Sequence, residues 1–112
     1  MGEGTLARVR KLPVGVRLNR AEIVSWISMP ETIDVVDCVS SNVKSCGWHA
    51  ESNTLKVVFS NGTEYRYIGV SDKLYYDLTA ARSKGSMLSM IKSLCTAVKI
   101  DALFYEAHEQ KE

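Results

Sequence analysis

The sequence has almost no net charge, because fourteen lysines and arginines are offset by thirteen aspartates and glutamates, a balance of +1. Proteins that grip duplex nucleic acid through its phosphates usually carry a marked basic excess. The chain also lacks any apolar run near the roughly 18 residues of a membrane helix, and no apolar segment follows its basic start as in a signal peptide. These absences argue against a general polyanion-binding protein and a membrane protein, and we expect a cytoplasmic location.

Cysteine is scarce, and its spacing is unlike that of a metal site. The three cysteines, Cys38, Cys46 and Cys95, include no C-x-x-C pair, and His49 and His108 do not complete a zinc-binding pattern. We therefore expect no metal and no cofactor, and small half-buried thiols in a reducing compartment. The alternative is that Cys38 and Cys46 approach each other across neighbouring strands.

Catalytic signatures are missing as well. The sequence contains no G-x-S-x-G, H-E-x-x-H, Walker loop or Rossmann glycine pattern. A nucleophile–base pair needs a histidine or lysine beside a serine or cysteine; His49 sits beside Trp48 at a strand–turn boundary, and His108 lies in the charged tail. Asp34 with Asp37 is only a single spaced carboxylate pair. We predict a binding protein rather than an enzyme.

The first third of the chain leads into a sheet. Residues 1–20 carry five basic residues against one acidic residue, which predicts a basic N-terminal arm that is either solvated or in contact with an anion or a neighbouring subunit. Residues 21–39 are a helix or a strand leading into the sheet. A helix would have Asn19 as its N-cap and Glu22 in the capping-box position, with an apolar stripe formed by Ile23, Trp26 and Ile27.

Strand patterns follow from residue 32. Alternating apolar residues indicate strands over residues 32–39, 42–50, 54–60 and 64–70, with Gly47 marking a bulge. Asn61-Gly62 stands between two of these patterns, which is the strongest short-range signal for a β-hairpin.

The apolar spacing then becomes helical. Ser71 is a good N-cap for one helix, Gly85 is expected to take the left-handed position at its end, and a second helix is predicted through residues 87–98. Its expected buried face consists of Leu88, Ile91, Leu94, Cys95 and Val98. The fold class is α+β: a three- to four-stranded antiparallel sheet followed by two or three helices. Residues 40–100 would form the domain and residues 101–112 a charged tail.

Several short motifs point to a family when they are taken together. In chain order they are S-S-N-V, G-W, L-K-V-V-F-S-N-G-T-E-Y-R-Y-I-G-V, Y-Y-D-L and A-A-R-S-K-G-S. This string resembles the KTSC domain over about residues 40–92. The chain departs from the family pattern at Ser71, where the family has proline, and at Met87 and Leu88, where it has Tyr-Phe. The resemblance implies no enzymatic activity.

A looser resemblance, in the hairpin and the Ser-x-Gly turn, is to phage anti-Thoeris sponge proteins. Those proteins sequester a cyclic ADP-ribose-like messenger of a bacterial immune system. This resemblance implies an anti-defence protein that binds a nucleotide.

The segment before the second helix is a candidate anion site. Two cations flank a hydroxyl and a glycine, and backbone N–H groups at a helix start favour negative charge. The residues concerned are Arg82, Ser83, Lys84, Gly85 and Ser86, together with Lys92 further along the predicted helix. The alternative is a plain turn between helices with solvated cations.

The strand after the Asn-Gly turn is a candidate aromatic site. Tyr65 and Tyr67 share one face of the strand and Arg66 points to the other. The tyrosines either stack a base or belong to the core. Arg66 can join both rings only at an interface between subunits.

These features favour a non-enzymatic module that sequesters a small phosphate-bearing nucleotide or nucleotide second messenger, of the phage or prophage anti-defence type. We expect a homo-oligomer, because so small a domain has little depth for a pocket of its own. The alternatives are an accessory module that binds single-stranded RNA or DNA and a protein–protein interaction module.

Overall fold

The structure is a computed structural model that describes Leu12 and residues 15–100. Most of the predicted basic arm and the whole of the predicted charged tail lie outside the described residues. The elements in chain order are α1 (Arg20–Ser28), β1 (Val36–Asp37), β2 (Val43–His49), β3 (Thr54–Phe59), β4 (Glu64–Ile68), α2 (Asp72–Ala80), α3 (Lys84–Leu94) and β5 (Thr96–Ile100). Within this part of the chain, no helix is long and apolar enough to cross a membrane.

The strands form one antiparallel sheet in the order β1-β2-β3-β4-β5. The α+β prediction is confirmed, with one strand more than the sequence pattern indicates. The additional strand is β5, which falls where the second helix is predicted to continue to Val98. Helix α3 ends at Leu94, which is 65% exposed, whereas Val98 and Ile100 are buried and Lys99 between them is exposed. Pairing with the free side of β4 thus overrides the helical spacing.

The predicted Asn-Gly hairpin joins β3 to β4. Gly62 has a φ of +91° and donates its N–H to the Phe59 carbonyl at 2.8 Å, while Phe59 donates to the Thr63 carbonyl at 2.8 Å. The Asn61 side-chain oxygen accepts from the Thr63 N–H at 2.9 Å. Gly62 is needed because this loop requires a left-handed residue.

Helix α1 is confirmed and begins with the predicted capping box. The Asn19 side chain accepts from the Glu22 N–H at 2.8 Å, and the Glu22 carboxylate accepts from the Asn19 N–H at 2.9 Å. The predicted apolar stripe is only partly right. Trp26 is 2% exposed, but Ile23 and Ile27 are 42% and 62% exposed, because the helix contacts the sheet through its C-terminal end.

Helix α2 begins at its predicted N-cap, Ser71, whose hydroxyl accepts from Leu74 N–H at 3.2 Å. The prediction that Gly85 ends this helix in a left-handed conformation is wrong. Gly85 lies in the first turn of α3 and is not among the described glycines with positive φ. The end of α2 is capped instead by the Lys84 ammonium, which donates to the carbonyls of Thr79 at 3.1 Å and Ala81 at 2.7 Å.

The sheet carries helices on both faces. Helices α2 and α3 cover one face through a core that includes Leu55, Val57, Leu78, Leu88 and Ile91. Helix α1 covers the other face, where Trp26, Met29, Ile68, Val98 and Ile100 form a second core with Leu12, Val16 and Leu18 packed against it. Successive residues of β4 therefore point into opposite cores, as Tyr67 and Ile68 do.

Gly47 on β2 lies against the backbone of Asp34 and Val35, in the segment before β1. A Cβ atom at this position would lie 1.8 Å from the Asp34 carbonyl oxygen and 3.0 Å from the Val35 Cα. The bulge that the sequence predicts at Gly47 lies instead between Val43 and Ser45. Glycine is therefore required here by close backbone approach rather than by a bulge.

Replacing Gly47 with alanine should lower the free energy of unfolding by about 1–3 kcal/mol, because the backbone around Asp34 must shift. Gly85→Ala is the matched control, since the nearest atom to its added Cβ would be 3.9 Å away. It should leave stability unchanged or raise it by up to about 1 kcal/mol. Urea unfolding followed by circular dichroism measures both, and equal losses would contradict the close-approach explanation.

Candidate functional site

An open groove of about 670 Å³ runs between the β3–β4 hairpin and helix α3. It has an aromatic floor, two lysines and several uncharged polar groups, and no acidic side chain is present among the described residues that line it. These residues are Asn42, Phe59, Ser60, Asn61, Thr63, Tyr65, Tyr67, Gly85, Leu88, Ser89, Lys92 and Lys99.

Three rings make the aromatic floor. Phe59 and Tyr65 meet edge to face, with ring centroids 5.6 Å apart and an interplanar angle of 89°. Tyr65 and Tyr67 lie on the same face of β4, with centroids 6.3 Å apart. Tyr65 is half-buried, so part of its ring faces the groove, whereas Tyr67 is only 4% exposed.

The Tyr67 hydroxyl stays protonated at neutral pH. Burial raises the pKa of Tyr67, and the neighbouring Tyr65 raises it further. The Tyr67 hydroxyl can therefore act as a hydrogen-bond donor. The rings together offer an apolar surface for a planar group, with a donor beside it.

Two lysines from different elements supply the positive charge. Lys92 lies in the last turn of α3, and Lys99 lies on β5 directly opposite Tyr65 in the strand register. Both side chains are exposed. Opposed residues in antiparallel strands share a face of the sheet, so the Lys99 ammonium belongs to the same face as the Tyr65 ring.

The structure divides the predicted anion site. Only Gly85 and Lys92 of that set line the groove. The Ser83 hydroxyl accepts from the Ser86 N–H at 3.2 Å and donates to the Ser86 hydroxyl at 3.0 Å, so it acts as the N-cap of α3. Lys84 binds the carbonyls at the end of α2, and Arg82 is exposed in the turn.

The predicted aromatic site is divided as well. Tyr65 and Tyr67 line the groove, but Arg66 enters the opposite core and is 0% exposed. Its guanidinium donates to the Glu64 carboxylate and to the carbonyls of Pro30 and Glu31. In this fold Arg66 is therefore inaccessible to a ligand, and its place among the ligand-binding residues is corrected to a structural one.

Sequence reasoning misses several groove residues. Phe59 is the clearest, because its alternation with Leu55 and Val57 predicts a plain core position. Lys99 is missed because the strand that carries it, β5, is not predicted. The alternation of apolar Val98 and Ile100 with Lys99 is the signal that could have indicated a strand here, but it does not identify β4 as the pairing partner.

The comparisons with known proteins concern the segment that forms most of this groove. Residues 39–90 match the family model of the KTSC domain. The chain carries a KTSC domain. The crystal structure of a KTSC domain protein from Yersinia pestis matches with a TM-score of 0.57 and 26% sequence identity, covering 62% of this chain and 100% of that chain. A comparison with curated proteins found no match.

The groove extends past the segment that matches the KTSC model. Its floor and hairpin residues lie within residues 39–90, whereas Lys92 and Lys99 both follow that segment. The two positive charges are therefore supplied by residues that follow the segment matched by the family model.

Proposed function

We propose that this KTSC domain protein binds a small phosphate-bearing nucleotide in the groove and sequesters it without converting it. The observation that carries the proposal is the combination of an aromatic floor with two lysines in a groove whose described lining holds no acidic group. A planar base favours the exposed part of an aromatic ring. A phosphate favours ammonium groups that can form charge-assisted hydrogen bonds.

The size of the groove supports a small ligand rather than a polymer. Its volume of about 670 Å³ is within the range of roughly 300–1,000 Å³ that small-molecule sites occupy. The net charge of +1 provides little long-range attraction for a polyanion. Because the groove is open on one side, a second subunit that covers the ligand is consistent with the homo-oligomer that the sequence analysis predicts.

The lining chemistry supports binding without turnover. The described lining residues offer hydroxyls, amides, aromatic rings and lysines, but no histidine, cysteine or carboxylate. Histidine is the side chain that general acid–base catalysis uses most often, and lysine and tyrosine, which this lining does contain, also serve in that role. Sequestration of a nucleotide messenger, as in the phage anti-defence proteins that the hairpin resembles, is the role that these groups suit.

A thermal-shift series tests this proposal. Wild-type protein is measured with adenosine, AMP, ADP-ribose and cyclic ADP-ribose. We expect at least one of the three phosphate-bearing probes to raise Tm, since a ligand at 100 times its Kd stabilises the folded state by about 2.7 kcal/mol. Adenosine should cause a much smaller shift, and the recovered nucleotide should be chemically unchanged. No shift with any of the phosphate-bearing probes would overturn the proposal, and conversion of the nucleotide would overturn its non-enzymatic part.

The aromatic strand also favours a second candidate, binding of single-stranded RNA or DNA. That function predicts affinity for an oligonucleotide that falls steeply as salt rises. Fluorescence anisotropy with a labelled oligonucleotide at two salt concentrations separates the candidates. Oligonucleotide affinity that does not change with salt would argue against this second function.

A further inference from the structure

Two thiols meet where β1 ends beside β2. The Cys38 N–H donates to the Lys44 carbonyl at 2.9 Å, which continues the pairing of β1 with β2 by one residue. Cys46 lies two pairs further along, opposite Val36. The two sulfur atoms are 3.4 Å apart, so they are already in contact across the two strands.

The two thiols differ in accessibility. Cys46 is 1% exposed within the core under α2 and α3. Cys38 is half-buried and lines a shallow depression of about 430 Å³ together with Asp37, Ser40 and Lys44. A small molecule can therefore reach the Cys38 sulfur from solvent, while the Cys46 sulfur can be reached by way of Cys38.

The protonation of the buried thiol agrees with a reaction that begins at Cys38. Burial raises the pKa of Cys46 to about 12, and the hydrogen bond and charge of Cys38 contribute in the same direction. Cys46 thus stays protonated until a reaction begins at its neighbour. The accessible thiol reacts first and the buried thiol then completes the bond.

We propose that Cys38 and Cys46 are a modification site that forms a reversible disulfide by exchange with a small disulfide such as glutathione disulfide. The Cys38 thiolate attacks one sulfur of glutathione disulfide, forming a mixed disulfide and releasing one glutathione thiolate. Cys46 then loses its proton and attacks the Cys38 sulfur, which breaks the mixed disulfide and releases the second glutathione thiolate. The two cysteine protons pass to the two glutathione thiolates. The protein is oxidised by two electrons, and glutathione disulfide is reduced to two glutathiones.

The disulfide would fix the edge of the sheet. Strand β1 has only two residues, and its Val36 side chain is 62% exposed. Sulfur contact at 3.4 Å must shorten to about 2.05 Å in the bond, which requires only a small movement of the half-buried Cys38. The bond closes a short loop between Cys38 and Cys46 and so restricts the unfolded chain.

Cys95 is the internal control. Its sulfur lies 3.3 Å from the Gly69 carbonyl oxygen, and none of the described sulfur contacts joins it to Cys38 or Cys46. The exchange should therefore leave the Cys95 thiol free.

Equilibration of the full chain with glutathione and glutathione disulfide tests the site. Wild-type protein and Cys95→Ser should each lose two thiols, have an intact mass lower by two hydrogens, and recover both thiols with dithiothreitol. Their Tm should rise by roughly 10 °C on oxidation. Cys38→Ser should form no intramolecular disulfide and show no such rise.

The variant at Cys38 replaces a half-buried thiol with a hydroxyl of similar size, and its circular dichroism spectrum reports whether it is folded. If it is unfolded, alkylation of Cys38 by limiting iodoacetamide in the Cys95→Ser variant, whose other thiol, Cys46, is buried, provides the same block. The proposal is overturned if wild-type protein accumulates only the mixed disulfide with glutathione, or if blocking Cys95 rather than Cys38 abolishes the exchange.

Discussion

Replacing Arg66 with alanine should lower the free energy of unfolding by about 3–5 kcal/mol, the largest stability effect that we expect from a single substitution. The Arg66 guanidinium is 0% exposed. It donates to the Glu64 carboxylate at 2.9 Å and to the carbonyls of Pro30 at 2.7 Å and Glu31 at 2.5 Å. Its loss removes three buried hydrogen bonds at once, including the charge-assisted bond to the half-buried Glu64 carboxylate, for which the Lys56 ammonium at 4.0 Å is a more distant partner.

The geometry also makes a lysine a poor replacement. One ammonium cannot span the carboxylate on β4 and two successive carbonyls of the segment after α1, because it lacks the planar array of donors that arginine provides. Arg66→Lys should therefore be intermediate in stability. Arg82→Ala is the matched control, since Arg82 is exposed, and it should change stability by no more than about 0.5 kcal/mol. Denaturant unfolding in which Arg66→Ala and Arg82→Ala are equally stable would contradict the assigned structural role.

The second large effect concerns ligand affinity. With a phosphate-bearing probe that binds the wild-type protein, Lys92→Gln and Lys99→Gln should each raise Kd about 10-fold or more, and the double variant about 100-fold. Each change removes a charge-assisted hydrogen bond to phosphate, which is worth about 1.5–3 kcal/mol. Because both lysines are exposed, the substitutions should leave the fold and Tm of the free protein nearly unchanged.

Arg82→Gln is the control that distinguishes the groove from the turn before α3. Arg82 belongs to the anion site that the sequence predicts, but it does not line the groove. Isothermal titration calorimetry should therefore give a Kd close to that of wild type for this variant. Weaker binding by Arg82→Gln, with Lys99→Gln binding normally, would place the phosphate at the turn instead.

The features that the sequence predicts well are those fixed by neighbours in the chain. The cap at Asn19 and the turn at Gly62 depend on residues within three positions, and both are found as predicted. The two tyrosines of β4 also fall on one face as the strand period requires.

The features that the sequence does not reveal depend on distant pairing. Residues 96–100 form a strand because the side of β4 away from β3 is free, and the apolar spacing in this segment cannot show that. Arg66 is buried because the carbonyls of Pro30 and Glu31 reach it from a separate segment. Lys99 lies on the same face as Tyr65 only because β5 pairs with β4. The groove therefore cannot be predicted from local sequence patterns alone.

The central claim is that the groove between the β3–β4 hairpin and α3 binds a nucleotide. Titration of ¹⁵N-labelled protein with each of AMP, ADP-ribose and cyclic ADP-ribose, followed by two-dimensional NMR, tests it most directly. We predict that the amide shifts concentrate at the hairpin and floor around Phe59 and Tyr65, near Ser89 and Lys92 on α3, and at Lys99. An absence of shifts with all three nucleotides at millimolar concentration, or shifts confined to Arg82 and Ser83 or to the α1 face of the sheet, would contradict the claim.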